Sequence, residues 1–245
     1  MQTGAHLDSA QALVSVMAVM PRERLERLLA DPDPRTALWV RAAARFGLPE
    51  AQVRLGRMLL EGAGVDKDQA QALAWFTRAA DGGDAEARNM VGRCLENGWG
   101  APADAAKAAP WYQAAAKAGD AWAQYNLGHL LLDGNGLPRD PVAAFDWYRR
   151  AASQGHVRAM NLVARCLEEG WGTMRDPAAA RDWYRRSAEG GYFRGQYNFA
   201  SLLAAEGRIE TARAWFQAAI QGAPPPTRDV MIKALARRQK AGAPC

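Results

Sequence analysis

AQYNLGHLLLDGNGLPRDPVAAFDWYRRAASQGHVR, residues 123–158, reads as two helices joined by a glycine loop, and its pattern recurs along the chain. Trp75, Trp111, Trp147 and Trp183 fall 36 residues apart, each followed by Phe or Tyr. The same interval links Gly62, Gly98, Gly134 and Gly170. It also links Asp68, Asp104, Asp140 and Asp176, and Gly83, Gly119, Gly155 and Gly191. Four rows sharing one period exclude chance and point to a solenoid of stacked units.

Within the unit starting at Ala51, apolar residues at Ala51, Leu55, Met58 and Leu59 make one helical face. Gly56, Gly92, Gly128, Ala164 and Ala200 hold a small residue in mid-helix. A glycine there costs about 1 kcal/mol of helix propensity, so close approach of a neighbouring helix is expected to offset it. The glycine row from Gly62 ends the first helix in a left-handed turn. The aspartate row then caps the second helix, with Pro141 and Pro177 at its first position. The second helix is expected to bury Ala72, Trp75, Phe76, Ala79 and Ala80. On that placement, loss of a tryptophan such as Trp147 is expected to cost roughly 3–5 kcal/mol.

The match of Ala123, Leu127, Gly128, Gly134, Gly136, Asp140, Ala144, Trp147, Tyr148, Ala151, Ala152 and Gly155 resembles the Sel1-like repeat, a relative of the tetratricopeptide hairpin. The resemblance runs from about Ala37 to Gly222. It implies an all-α, right-handed α-α superhelical solenoid of TPR-like hairpins that serves as scaffold or adaptor and carries no catalysis. The organisation expected is 1–35 as N-terminal capping helices and 36–50 as a degenerate half repeat. Five repeats follow at 51–86, 87–122, 123–158, 159–194 and 195–223. Residues 224–245 form a proline-rich break and a capping helix or basic tail. The last repeat departs from the pattern, lacking the Gly-x-Gly loop, with Trp215 only 32 residues after Trp183.

The repeats argue for one elongated domain, stabilised by contacts between neighbours. Net charge is +5, but most of it sits in the tail, where Arg228, Lys233, Arg237, Arg238 and Lys240 face only Asp229. The repeats are near neutral, which argues against nucleic acid. The three cysteines do not pair by position: Cys94 and Cys166 hold the same core-facing place two units apart, beyond disulfide reach. That usage suits a reducing compartment, and a cytoplasmic monomer is expected. The apolar run from Ala10 to Met20 is too short to span a bilayer and lacks a signal peptide's basic start. Val230, Met231, Ala234 and Leu235 form an apolar stripe that favours a cap at the C-terminal end. Trp99 and Trp171, flanked by loop glycines, are expected to fold back rather than stand out.

If first helices line the concave side, as the resemblance implies, three positions form its floor. These are Val53, Asn89, Tyr125, Asn161 and Tyr197 at the third place and Arg57, Arg93, His129, Arg165 and Ser201 at the seventh. The tenth place holds Leu60, Glu96, Leu132, Glu168 and Ala204. The candidate partner-binding residues are Arg57, Asn89, Arg93, Tyr125, His129, Asn161, Arg165 and Tyr197. Asparagine can bond a peptide backbone, arginine can fork a carboxylate, and tyrosine adds apolar area at low entropic cost. These suit an extended peptide of another protein. The competing reading is a solvated face with Arg-Glu pairs three apart, such as Arg93 with Glu96, worth only about 0.2–0.5 kcal/mol each.

No catalytic or metal-binding pattern appears. His6, His129 and His156 lie in no metal spacing, no lysine follows the Gly-x-Gly loops at P-loop distance, and no Ser-x-x-Lys occurs. No cofactor is expected. The alternatives are an enzyme or metal protein built on His129, Tyr125 and Glu96, and a membrane or nucleic-acid tether through the tail.

Overall fold

The structure is a computed structural model describing residues 36–240, with side chains to 236. The expected capping helices at 1–35, His6 and Cys245 lie outside the described residues. Twelve α-helices and no strand occur among the described residues. They are α1 (Thr36–Arg45), α2 (Pro49–Glu61), α3 (Gln69–Asp81), α4 (Ala85–Asn97), α5 (Ala105–Lys117) and α6 (Ala121–Asp133). Then follow α7 (Pro141–Ser153), α8 (Val157–Glu169), α9 (Pro177–Glu189), α10 (Phe193–Ala205), α11 (Ile209–Gly222) and α12 (Pro225–Lys240). The chain divides into two compact units, Met1–Ala123 (unit I) and Gln124–Cys245 (unit II). The division coincides with the start of a 36-residue repeat, just inside α6.

The loops form as their residue rows dictate. Gly62, Gly98 and Gly170 end first helices at φ 78°, 75° and 77°, each amide donating back to the carbonyl of Met58, Cys94 or Cys166. Each loop is tied at its far end as well, for the amides of Asp68, Asp104, Asp140 and Asp176 reach Leu59, Leu95, Leu131 and Leu167 carbonyls. The same four aspartates then accept from the amides of Gln71, Lys107, Ala143 and Ala179, capping α3, α5, α7 and α9.

In unit I, successive helices from α1 to α5 pack on one another. In unit II the packing runs from α7 to α12, with first helices α8 and α10 also touching. The core of each hairpin is an aromatic ring laid over a mid-helix glycine or alanine. A methyl on Gly56 would stand 2.5 Å from the Phe76 ring, on Gly92 2.7 Å from Tyr112, and on Gly128 2.5 Å from Tyr148. At the equivalent places Ala164, Tyr184, Ala200 and Phe216 share one buried cluster. At Gly56, Gly92 and Gly128 the missing Cβ is what lets the two helices close on the ring.

This corrects the expected role of the tryptophans. The deep position belongs to the residue after each one: Phe76, Tyr112 and Tyr148 are 0% exposed and Tyr184 2%. Trp75, Trp111, Trp147 and Trp183 are half-buried. Three of them lie under the arginine one turn on, Arg78, Arg150 and Arg186, with guanidinium carbons 5.5, 4.7 and 4.8 Å from ring centroids. They roof the core rather than fill it.

After the last hairpin of unit II the chain continues into α12, which packs on α11. Helix α12 starts at Pro225, so the prolines open a helix as well as halting the repeats. Met231 is buried with Ala219 and Ala223, Leu235 packs against the cluster that holds Phe216, and Arg228 donates to the Ile220 and Ala223 carbonyls.

Candidate functional site

In unit II the first helices (α6, α8, α10), the corners before them, the loops after α6 and α8, and Met231 of α12 line two adjoining cavities. The smaller, about 370 Å³, is lined by Tyr125, His129, Arg158, Asn161, Leu162, Arg165, Tyr192, Arg194, Tyr197, Asn198 and Met231. The larger, about 600 Å³, is lined by His129, Leu132, Asp133, Arg139, Leu162, Arg165 and Trp171. His129, Leu162 and Arg165 belong to both, which makes them one groove crossing several rungs.

Five of the eight expected floor residues thus meet in one place: Tyr125, His129, Asn161, Arg165 and Tyr197. Periodicity explains it, since residues at one place in a 36-residue repeat stack along one face. The floor is braced by its own rings. Tyr125 and His129 meet edge to face with centroids 4.6 Å apart, and His129 meets Tyr148 at 5.6 Å. Tyr197 stands edge-on to Phe216 at 5.3 Å. Burial pushes the Tyr125 phenol up, while Arg158 and Arg194 draw it down.

Asn161 is only 4% exposed and accepts from Asn198 Nδ2 at 2.9 Å, so it presents less of itself to a peptide than a floor residue was expected to. The Arg165 guanidinium carbon lies 4.7 Å from the centroid of the Trp171 ring. Trp171 folds back to line the groove and is half-buried.

The other three expected residues belong to unit I. Arg57 forms an ion pair with Glu86. Arg93 lies over Trp99 at 5.3 Å and reaches Met90 Sδ at 3.5 Å. Asn89 is 4% exposed. The anticipated partner of Arg93, Glu96, instead accepts from the Tyr112 hydroxyl at 2.6 Å. Glu168 does the same for Tyr184 at 2.7 Å. These carboxylates lock a first helix to a second, which no reading along a single helix could find.

Reading the first helices alone misses Arg158, Tyr192 and Arg194. They sit at the corners, at the caps and first turns of α8 and α10. The signal was present: Glu50, Glu86, Trp122, Arg158 and Arg194 form a further row of period 36, acidic at its start and basic at its end.

Cys94 and Cys166 are buried, and burial pushes each thiol up to about 11. Thiols so placed are poor nucleophiles. His156 caps α8, its Nδ1 accepting from the Ala159 amide at 3.1 Å. Burial, reinforced by Arg158, holds its pKa down to about 4, so it stays neutral at physiological pH. Among the described residues no three His, Cys, Asp or Glu side chains gather as a metal site, and no helix is long and apolar enough to cross a membrane.

The Sel1 repeat family model matches residues 49–84, 85–120, 123–156 and 157–192. No curated protein matches. Among solved structures, the chain is similar to a protective antigen of uropathogenic Escherichia coli strains that displays an SLR fold. The two share 28% identity at a TM-score of 0.69 over 86% of this chain, which spans only 45% of that antigen's length. It is also similar to a Sel1 repeat protein from Oxalobacter formigenes, with 27% identity and a TM-score of 0.67, covering 80% of this chain and 85% of the other.

Proposed function

This chain belongs to the Sel1 repeat family, and from that premise we propose that it is a non-catalytic adaptor that holds an extended segment of another protein in the groove of unit II. Sel1 repeat proteins generally mediate protein–protein interaction and are typically non-catalytic. The observation that carries the reading is the convergence of Tyr125, His129, Asn161, Arg165 and Tyr197, from three successive first helices, on one cavity. Braced aromatic rings offer contact area whose ordering entropy is already spent in folding. Arginines supply directional polar contacts at its rim. Arg57 and Asn89 in unit I take a lesser part, since Arg57 already pairs with Glu86 and Asn89 is only 4% exposed, while Arg93 repeats the placement of Arg165 over a loop tryptophan.

Selection of a random-sequence peptide library on the immobilised full chain tests this. Enriched peptides should bind the unaltered protein and lose at least about tenfold in affinity, some 1.4 kcal/mol, with Arg165→Glu or Tyr197→Ala. Arg57→Glu should leave them bound. Failure to enrich any peptide, or equal binding by the Arg165 and Tyr197 variants, would overturn the proposal.

A further inference from the structure

We infer that the groove of unit II is built for an acidic extended peptide, one of whose carboxylates completes the middle rung by taking the place that Glu96 and Glu168 fill in theirs. The inference rests on the proposed binding function and names its partner class.

The argument starts from three equivalent tyrosines. Tyr112, Tyr148 and Tyr184 lie at the same place in successive repeats, all at 2% exposure or less. The Tyr112 hydroxyl donates to Glu96 Oε2 at 2.6 Å and that of Tyr184 to Glu168 Oε2 at 2.7 Å. In the middle rung the residue equivalent to Glu96 and Glu168 is Leu132, which can accept nothing. The buried Tyr148 hydroxyl has no hydrogen-bond partner among the described residues. A buried donor left unpaired destabilises the fold unless something else uses it. Leu132 is half-buried and lines the larger cavity. A rotamer change at Leu132 would open the hydroxyl to a carboxylate lying in the groove, beside the edge of His129.

Charge makes the same selection independently. Arg158, Arg165 and Arg194 line the smaller cavity, and no Asp or Glu lines it. In the larger, Arg139 and Arg165 outnumber Asp133. All four arginines are exposed. Guanidinium groups bind carboxylates through paired hydrogen bonds of fixed geometry. Spread over successive rungs, they match acidic side chains spread along an extended chain better than a single compact anion.

Fluorescence anisotropy with end-blocked peptides tests it on the full chain. The probes are an alternating Glu-Ala peptide, its Gln-Ala and Lys-Ala counterparts, and single-stranded oligouridine. The Glu-Ala peptide should bind about tenfold or more tighter than Gln-Ala, and weaken as salt rises. Arg158→Glu and Arg194→Glu, both surface changes, should each weaken it about tenfold. Tyr148→Phe should weaken it about threefold while leaving the melting temperature unchanged or raised, because it removes a hydroxyl with no internal partner. Leu132→Glu, which installs the neighbours' carboxylate, should remove binding and raise the melting temperature. Equal binding of Glu-Ala and Gln-Ala, or tighter binding of oligouridine, would overturn the inference. So would Glu-Ala binding indifferent to Tyr148→Phe. If library selection yields groove-directed peptides free of Asp and Glu, the binding function stands and the acidic partner falls.

Discussion

The corner that leads into each first helix does the same backbone work in both units but carries opposite charge. In unit I it reads Asp84-x-Glu86 and Asp120-x-Trp122; in unit II, His156-x-Arg158 and Tyr192-x-Arg194. Asp84, Asp120 and His156 each accept from a backbone amide three residues on, Ala87, Ala123 or Ala159. The fold therefore asks for an acceptor there, and it tolerates none at Tyr192. What surrounds the acceptor is free to change. In unit I burial pushes the Asp120 carboxyl up, with Glu86 and Asp84 adding to it, and Glu86 neutralises Arg57. In unit II the same row turns to arginine and faces the groove. Charges that folding does not require are the natural place for binding specificity to reside.

The comparison can be broken most forcefully at the core both units share. Tyr112→Ala in unit I and Tyr148→Ala in unit II should each cost about 3–5 kcal/mol in urea unfolding. Trp147→Ala, which strips only a half-buried roof, should cost distinctly less, about 1–2 kcal/mol. Equal losses would mean that the ring-on-glycine contact is not what holds the hairpins. A finer cut removes single oxygens. Tyr112→Phe should lose about 1.5–3 kcal/mol, because its hydroxyl bonds a carboxylate, whereas Tyr148→Phe should lose nothing measurable. Matching losses would show that the middle rung is satisfied after all.

Acidification should act on unit II through the cap of α8. The His156 pKa is held down to about 4 from an ordinary value near 6.5. Its neutral form is favoured by folding, so its contribution is complete above about pH 6.5 and is lost as pH falls towards about 4. His156→Asn keeps a cap acceptor and should flatten the stability curve over that window; an unchanged slope would refute the assignment. The smallest effect is expected at Arg57 and Glu86, whose side chains are 52% and 46% exposed. A double-mutant cycle there should give no more than about 1 kcal/mol, vanishing in high salt.

Much of this fold can be read in the residue rows because turns are chemically demanding. A left-handed residue calls for glycine and a cap calls for an acceptor, so Gly62, Asp68 and their equivalents announce the hairpin wherever they recur. The five groove residues of unit II are legible for the same reason, being equal places in a stacked period. Depth is not legible in this way. Trp147 and Tyr148 are neighbours on one helical face, and spacing alone cannot tell which ring meets Gly128. Nor does a sequence say that Glu96 will reach another helix's tyrosine rather than the arginine one turn back, for that choice is made by the approach of the two helices. Arg158 and Arg194 escaped for a simpler reason: they stand at corners, outside the helix faces on which a floor is sought.

Gly100 and Gly172 hold φ of 82° and 69°, and any side chain on them would run into the carbonyl of Gln69 or Pro141, where the second helix of the preceding hairpin begins. The seam between neighbours is thus written in a loop, at a fixed distance from the helix it meets. Duplication or deletion of whole 36-residue blocks preserves every such seam, wherever the cut is made. The last repeat, where Trp215 follows Trp183 by only 32 residues, lacks the Gly-x-Gly loop and so does without this seam. An engineer wishing to extend or shorten the run of Gly-x-Gly repeats should respect that 36-residue step.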